Sequence, residues 1–437
     1  MSTQKHIVIV GAGAGGLVLA TRLGRKYGAK NHLRITLIDK SLTHIWKPLL
    51  HEVAAGTLTS FEDEINLFAH GERNGYEFSF GEMIGLDRAN KKLQLAEFHD
   101  AAGREVLPAR EMSYDLLVLA VGSMCNDFGV PGVSEHAIFL DSRANAESFH
   151  QRFLHSLLRS HTRHLAGQLQ ELNIVIVGGG ATGVELAAEL QEVMTSLPDY
   201  GMENIDKQNA RIYLVEAAGR LVLALNETVS RRVKRELEKL GIEVKLNTQI
   251  KEVQTQSVVT ATGQVMEAQL VVWAAGVKAP DWLNTLGLEN NRLNQIIVKQ
   301  NLQSSVDPNI FVFGDCAGLQ YEEDGVMVRV PPLAQAAAQQ AEYLARVLPE
   351  YLATGVINKY YSFHNQGAFI SIASEGAVGT VMGRYIKSIG IQGLLARWIY
   401  LALYRRHQWV VLGMWTTGIA MIKDLLSRTL GPRLKLH

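Results

Sequence analysis

The chain has 437 residues, 47% hydrophobic and 20% charged with only 10 prolines, which supports a large core in two or three domains and excludes wholesale disorder. Forty-three basic side chains balance 43 acidic ones, so a general nucleic-acid binder is not expected. Two cysteines, Cys125 and Cys316, cannot build a disulfide framework or a structural zinc site; a reducing compartment is expected, and no metal site.

The chain enters a strand pattern almost at once, so no signal or transit peptide is expected. Residues 7–10 (Ile-Val-Ile-Val) run into Gly11-Ala12-Gly13-Ala14-Gly15-Gly16 and a helical stretch to about residue 27. A second apolar strand, residues 35–38, ends in Asp39. The pattern then repeats: residues 174–177, the turn Gly178-Gly179-Gly180-Ala181-Thr182-Gly183, a helix through residue 194, and a strand over 212–215 that ends in Glu216. In such a turn the first glycine permits the bend, the second lets backbone approach a pyrophosphate, and the third lets helix pack on strand. The pyrophosphate lies on the free N–H groups opening the helix, and the strand-end acid accepts from ribose hydroxyls. One such match also arises from packing alone, whereas two complete copies in their strand–turn–helix context point to two dinucleotide sites.

Further apolar strands close each unit, residues 116–121 before Gly122 and 270–275 before Gly276. The strand over 309–313, ending in Gly314-Asp315, reads as a return to the first unit. Glu216 would bond a ribose 2′-hydroxyl and repel a 2′-phosphate, predicting NADH over NADPH. Arg220, four residues on, could in principle accept such a phosphate, but the strand-end acid is the stronger signal.

These motifs resemble the two-dinucleotide-binding-domain flavoproteins of glutathione-reductase-like fold. The resemblance implies that Gly11, Ala12, Gly13, Gly15, Gly16, Asp39 and Lys40 hold a non-covalent FAD, with Pro48, Gly122, Gly314, Asp315 and Ala334 completing its site. It implies that Gly178, Gly180, Gly183, Glu216, Ala275 and Gly276 hold NADH. The implied class is α/β: two Rossmann-like domains plus a C-terminal amphipathic helical membrane-anchoring segment. The implied division is 1–170 and 301–385 for the FAD domain, 171–300 for the NADH domain, and 386–437 for membrane-surface helices.

The disulfide reductases of this fold, and sulfide:quinone oxidoreductases, work through cysteines. Here the segment from Trp46 to Ala54 has none, and each cysteine reads as a small buried hydrophobe. The run Lys47-Pro48-Leu49-Leu50-His51-Glu52-Val53-Ala54-Ala55-Gly56 is instead similar to type II NADH dehydrogenases, the single-chain NADH:quinone oxidoreductases. So is the segment from Pro332 to Gln340, which matches that family's AQxAxQ quinone motif. Gln335 and Gln339 are four apart and share a helix face, from which two amides reach a quinone carbonyl; a solvated alanine-rich helix is the plainer alternative. Glu185, expected in the first turn of the second unit's helix, is implied to deliver protons to the quinone; the alternative is an acid favoured by the helix dipole. Some relatives carry a lysine in the stretch corresponding to 367–378, where this chain has Glu375-Gly376 and none.

From Arg384 to the end the chain holds nine Lys/Arg against one acid, +8, leaving −8 for the rest. Trp398, Tyr400, Tyr404, Trp409 and Trp415 stand among Arg397, Arg405, Arg406, Lys423, Arg428, Arg433 and Lys435, with an apolar stripe of Leu394, Leu395, Trp398, Ile399, Leu401, Ala402 and Leu403. The longest uncharged run, His407 to Ile422, falls short of the roughly 20 residues that span a bilayer. Interfacial helices on anionic lipid are expected, with a homodimer contact as the alternative or additional use of that face. The reading is a peripheral enzyme on the cytoplasmic face of a bacterial inner membrane, passing electrons from NADH through FAD to a quinone without pumping protons. Two other readings stand beside it, a reductase of a soluble electron carrier and a redox-sensing flavoprotein module.

Overall fold

The computed structural model describes residues 4–28, 32–58, 64–168, 171–205, 209–372, 377–383, 386–392, 402, 405–419 and 421–422. In chain order, β1 (His6–Val10), α1 (Gly16–Leu23) and β2 (Arg34–Asp39) are followed by the short helix α2 (Leu50–Ala55) and by β3 (Glu77–Phe80) and β4 (Leu116–Leu119). Next come β5 (Ile138–Phe139), α3 (Arg143–Leu165), β6 (Leu172–Val177), α4 (Ala181–Ser196), β7 (Ala210–Val215), α5 (Glu227–Leu240), β8 (Glu243–Lys245) and β9 (Leu270–Trp273). Then follow β10 (Ile310–Val312), α6 (Ala334–Thr354) and a three-stranded antiparallel sheet of β11 (Gly367–Ser371), β12 (Ala377–Gly383) and β13 (Ile386–Gln392), so that residues 386–392 form a strand and not the start of the expected membrane-surface helices.

Two compact units result. The first comprises residues 1–46, 64–124 and 277–365. Its parallel sheet has the order β10-β4-β1-β2-β3, with Ile7 opposite Ile35 on one side and Leu116 on the other. All five β1 residues are buried, as expected for a parallel strand covered on both faces. Helix α1 buries Leu17, Leu19 and Leu23 and packs against α6.

The second unit comprises residues 47–63, 125–276 and 366–437. Its parallel sheet, β5-β9-β6-β7-β8, repeats the central order of the first, but its edge strand β5 precedes the others in the chain where β10 follows them; Ile174 lies between Ile212 and Leu270. Val175, Val177, Val215, Val271 and Trp273 form part of its core, and α2 packs on α3 and α4. The units divide at 124/125 and 276/277 rather than at the expected 170 and 300. The reason is that β5 pairs with β9 and α3 packs on α2, so the chain has joined the second sheet well before β6. Pro48 and everything after residue 365 also group with the second unit.

In the tail, residues 405–412 and 414–419 are helical, broken at Gly413 with φ +87°. Trp409, Met414, Ile419 and Ile422 are exposed, and Trp415 is 87% exposed. Among the described residues no helix is long and apolar enough to cross a membrane. Of the expected tail features, Arg384, the stripe from Leu394 to Leu403 apart from Ala402, with Arg397, Tyr400 and Tyr404, the basic residues from Lys423 onward, and Glu375-Gly376 lie outside the described residues.

Candidate active site

The first glycine turn is built by close approach. Gly11 sits at φ +105°, where a Cβ would come within 2.4 Å of the Ala120 carbonyl oxygen, and a Cβ on Gly16 would lie 1.8 Å from the Gly11 oxygen. Gly13 has nothing within 4 Å of its missing Cβ, the clear space a pyrophosphate needs. Asp39, at the tip of β2, accepts from the Ala12 N–H at 2.6 Å and the Ser41 N–H at 2.8 Å. The His44 ring donates from Nδ1 to the Ala12 carbonyl at 2.7 Å, and burial lowers its pKa to about 4, so a neutral imidazole clamps the turn. Lys40 pairs with Glu82 at 3.2 Å on the surface nearby, and Gly15 presses on Phe313.

The late aspartate is held as well. Ser123 Oγ donates to Asp315 at 2.7 Å, and the Gly314 N–H donates to Gln340 Oε1 at 2.8 Å. Asp315 and Ser123 line a cavity of about 180 Å³ with Lys278, Gln295 and Arg329. A carboxylate beside such a cavity fits a polyhydroxyl chain, and the open cradle at Gly13 with the clamped Asp39 fits the pyrophosphate and ribose of a dinucleotide. The residues present therefore fit FAD. Ser123 and Gln340 were not visible as site residues in the sequence, since neither belongs to a recurring pattern. Gly122, at φ +74°, has open space, Ala334 opens α6, and Pro48 stands in a single turn before α2 in the second unit.

The second turn repeats this geometry. A Cβ on Gly183 would lie 2.0 Å from the Gly178 oxygen, Gly178 packs on Ala274 and Ala275, and Gly180 faces open space at the N-cap of α4. Glu216 accepts from the Gly179 N–H at 2.6 Å and the Ala218 N–H at 2.7 Å. Arg220 donates to the Leu225 carbonyl at 2.7 Å and the Leu223 carbonyl at 3.1 Å. Its guanidinium is thus bonded within its own loop.

Glu185 lies in the second turn of α4, not the first as expected, and the first turn carries no acid. The helix dipole therefore does not explain it. Its side chain is buried: Oε1 accepts from the Ser371 N–H at 3.0 Å, and Oε2 is 3.6 Å from His51 Nδ1 on α2. Burial first, and then the nearby Glu52 and Glu189 carboxylates, raise its pKa to about 8, overcoming the Ser371 N–H. Burial also lowers His51 to about 4. Near neutrality both groups are uncharged, so their proximity is no ion pair; it places a protonated carboxyl against a neutral imidazole. Thr57 donates to Glu189 at 2.6 Å one turn further along α4.

On α6, Gln339 is already engaged: its Nε2 donates to the His364 carbonyl at 2.8 Å and its Oε1 accepts from the His364 N–H at 3.0 Å. Gln335 stands one turn earlier on the same helix, partly exposed. Both cysteines are free, and burial pushes each thiol up to about 12, so neither is a thiolate nucleophile. Among the described residues no group of His, Cys, Asp or Glu could hold a metal ion.

Comparison with known proteins shows the family. The sequence model of the pyridine nucleotide-disulphide oxidoreductase family matches residues 5–341. The type II NADH:quinone oxidoreductase of Haemophilus influenzae is 40% identical, over 99% of this chain and 100% of its own length. The chain belongs to the type II NADH:quinone oxidoreductases. That of Staphylococcus aureus (strain NCTC 8325 / PS 47) is 29% identical over 88% of this chain and 91% of its own. Among solved structures, NDH2 from Plasmodium falciparum in complex with NADH superposes with a TM-score of 0.81, covering 99% of this chain and 100% of that one at 19% identity, and so shares the fold. As a type II NADH:quinone oxidoreductase, the chain is a flavin- and NADH-using enzyme that delivers electrons to a quinone.

Proposed function

We propose that the flavin is a non-covalent FAD in the first unit, that the second unit takes NADH in preference to NADPH, and that the quinone is a membrane quinone reached at a lipid surface. The observation that carries this reading is the pair of open cradles at Gly13 and Gly180, each beside a strand-end carboxylate locked by backbone N–H groups. Asp39, Ser123, Asp315 and the clamp from His44 would hold FAD, which when bound supplies the hydride-accepting and electron-passing chemistry that the side chains lack. Glu216 would hold the adenosine ribose of NADH.

Glu185 keeps a proton on its carboxyl to about pH 8, which suits it to protonate a quinone that is taking up electrons. Gln335 would donate to a quinone carbonyl, and Gln339 would support that surface by pinning His364. The +8 tail with exposed Trp409, Trp415 and Ile422 supports a peripheral seat on anionic lipid, and the same apolar face would serve a homodimer. A reducing compartment, suggested by two free cysteines, supports the cytoplasmic side. Turnover on this reading moves no protons across the membrane.

Stopped-flow absorbance tests the core of it. The purified protein should be yellow, bleach on mixing with NADH, and recover its colour when a ubiquinone analogue follows. A colourless protein that takes up no FAD would overturn the reading.

A further inference from the structure

Phe128 holds a backbone conformation that bulky residues avoid. Its φ is +54°, in the left-handed region where Cβ crowds the adjoining carbonyl. Burial does not offset this strain, because the residue is 60% exposed. A local network imposes it. The Phe128 N–H donates to Asn126 Oδ1 at 3.0 Å, the Asn126 N–H donates to the Gly276 carbonyl at 3.3 Å, and the buried indole of Trp273 donates to the Asn126 carbonyl at 2.8 Å. The result is a ring set down on Gly276, so close that a Cβ there would meet the ring edge at 2.5 Å.

Strain of this kind persists where the surroundings enforce it, and it clusters at functional positions. The sheet order β5-β9-β6-β7-β8 puts the topological switch point between β6 and β9, and dinucleotides of open α/β sheets lie outside the C-terminal strand ends there. Glu216 marks the adenosine end at β7, and the turn from Gly178 to Gly183 takes the pyrophosphate above β6. The nicotinamide half then runs over the end of β9, where Gly178 packs on Ala274 and Ala275 and the next residue, Gly276, carries the Phe128 ring.

We propose that Phe128 is a binding residue for the nicotinamide half of NADH, an aromatic ledge over Gly276 on which the nicotinamide riboside stacks. The inference rests on the second turn binding NADH. Holding the ring in place beforehand spares the ligand the cost of ordering it. The strained φ is thus the means by which the ledge is presented before the dinucleotide arrives.

The test uses full-length holoenzyme with Phe128 changed to Gly, Ala, Leu or Tyr. Binding of NAD⁺ and of ADP is measured by calorimetry, and thermal midpoints are taken without nucleotide. Phe128→Ala and Phe128→Gly should weaken NAD⁺ binding and raise the KM for NADH about tenfold, the effect of losing roughly half a ring's buried area (about 1.4 kcal/mol), with kcat little changed. ADP, which lacks the nicotinamide riboside, should bind all variants alike, and Phe128→Tyr should behave as the parent. Phe128→Gly should not melt below Phe128→Ala, since glycine adopts this φ freely. Phe128→Leu keeps bulk over Gly276 without the flat face and should also lose NAD⁺ affinity, which carries the test if the smaller variants fold poorly. Unchanged NAD⁺ affinity in the Ala and Leu variants would overturn the ledge while leaving NADH as the donor. A parent enzyme that bound ADP but not NAD⁺ would overturn both.

Discussion

Glu185→Gln should stabilise the protein, and by an amount that grows with pH. The carboxyl has an ordinary pKa of 4.5 and is raised to about 8 in the folded chain, chiefly by burial. Between those values the folded state keeps a proton that the unfolded state has released, so stability falls as pH rises through the window. At 1.36 kcal/mol per unit the full span is about 5 kcal/mol. Rearrangement of Glu52 and Glu189 and entry of water reduce it, and an effect on the order of 2–4 kcal/mol is expected above pH 8. Glutamine keeps an acceptor for the Ser371 N–H and has no charge to bury. Urea unfolding of FAD-saturated parent and variant, followed by tryptophan fluorescence, should coincide near pH 4.5 and separate steadily to pH 8.5. Two curves that stay parallel over that range would show that Glu185 ionises in the fold as it does in water, and the proton-donor reading would go with it.

Glu216→Gln should narrow the preference for NADH over NADPH in kcat/KM, because the locked carboxylate is the repelling charge. Arg220→Ala should leave that ratio unchanged and lower stability by about 1 kcal/mol, since among the described residues its guanidinium bonds carbonyls of its own loop. Gln335→Leu should raise the quinone KM, and Gln339→Leu should lower the thermal midpoint by several degrees, having lost both bonds to His364. A chain ending near Arg384 should stay at the bottom of the gradient in a flotation assay with anionic vesicles and turn over long-tailed quinone poorly, while the full chain floats.

Much of the architecture was legible because it is local. The two glycine turns, the strands that feed them and the acids that end the following strands each lie within about forty residues, and each stands where periodicity and turn chemistry put it. Contacts that close over long sequence distances were not legible. Ser371 reaches Glu185 across 186 positions and Ser123 reaches Asp315 across 192, and no period or motif links such pairs. The same holds for Gln339, whose amide looks free on a helical wheel and is in fact bonded to the backbone of His364. For Arg220 the sequence left open whether the cation faces a ligand, and the structure shows it bonded to the carbonyls of Leu223 and Leu225 in its own loop. The unit boundaries differ from the expected ones because β5 and α3 join the second unit ahead of its glycine turn, and no motif in the sequence marks that change.

The interleaving of the two units has a consequence for biogenesis. Strand β4, all four residues buried, pairs on its outer edge with β10, Leu117 opposite Ile310, so that partner leaves the ribosome almost two hundred residues later. Until then the nascent first sheet exposes an apolar edge, the kind of surface that invites aggregation or a chaperone. Late closure of this kind slows folding through the entropy of the long loop. Polypeptides cut short before residue 310 should consequently fail to reach a protease-resistant state, even though they already contain both glycine turns.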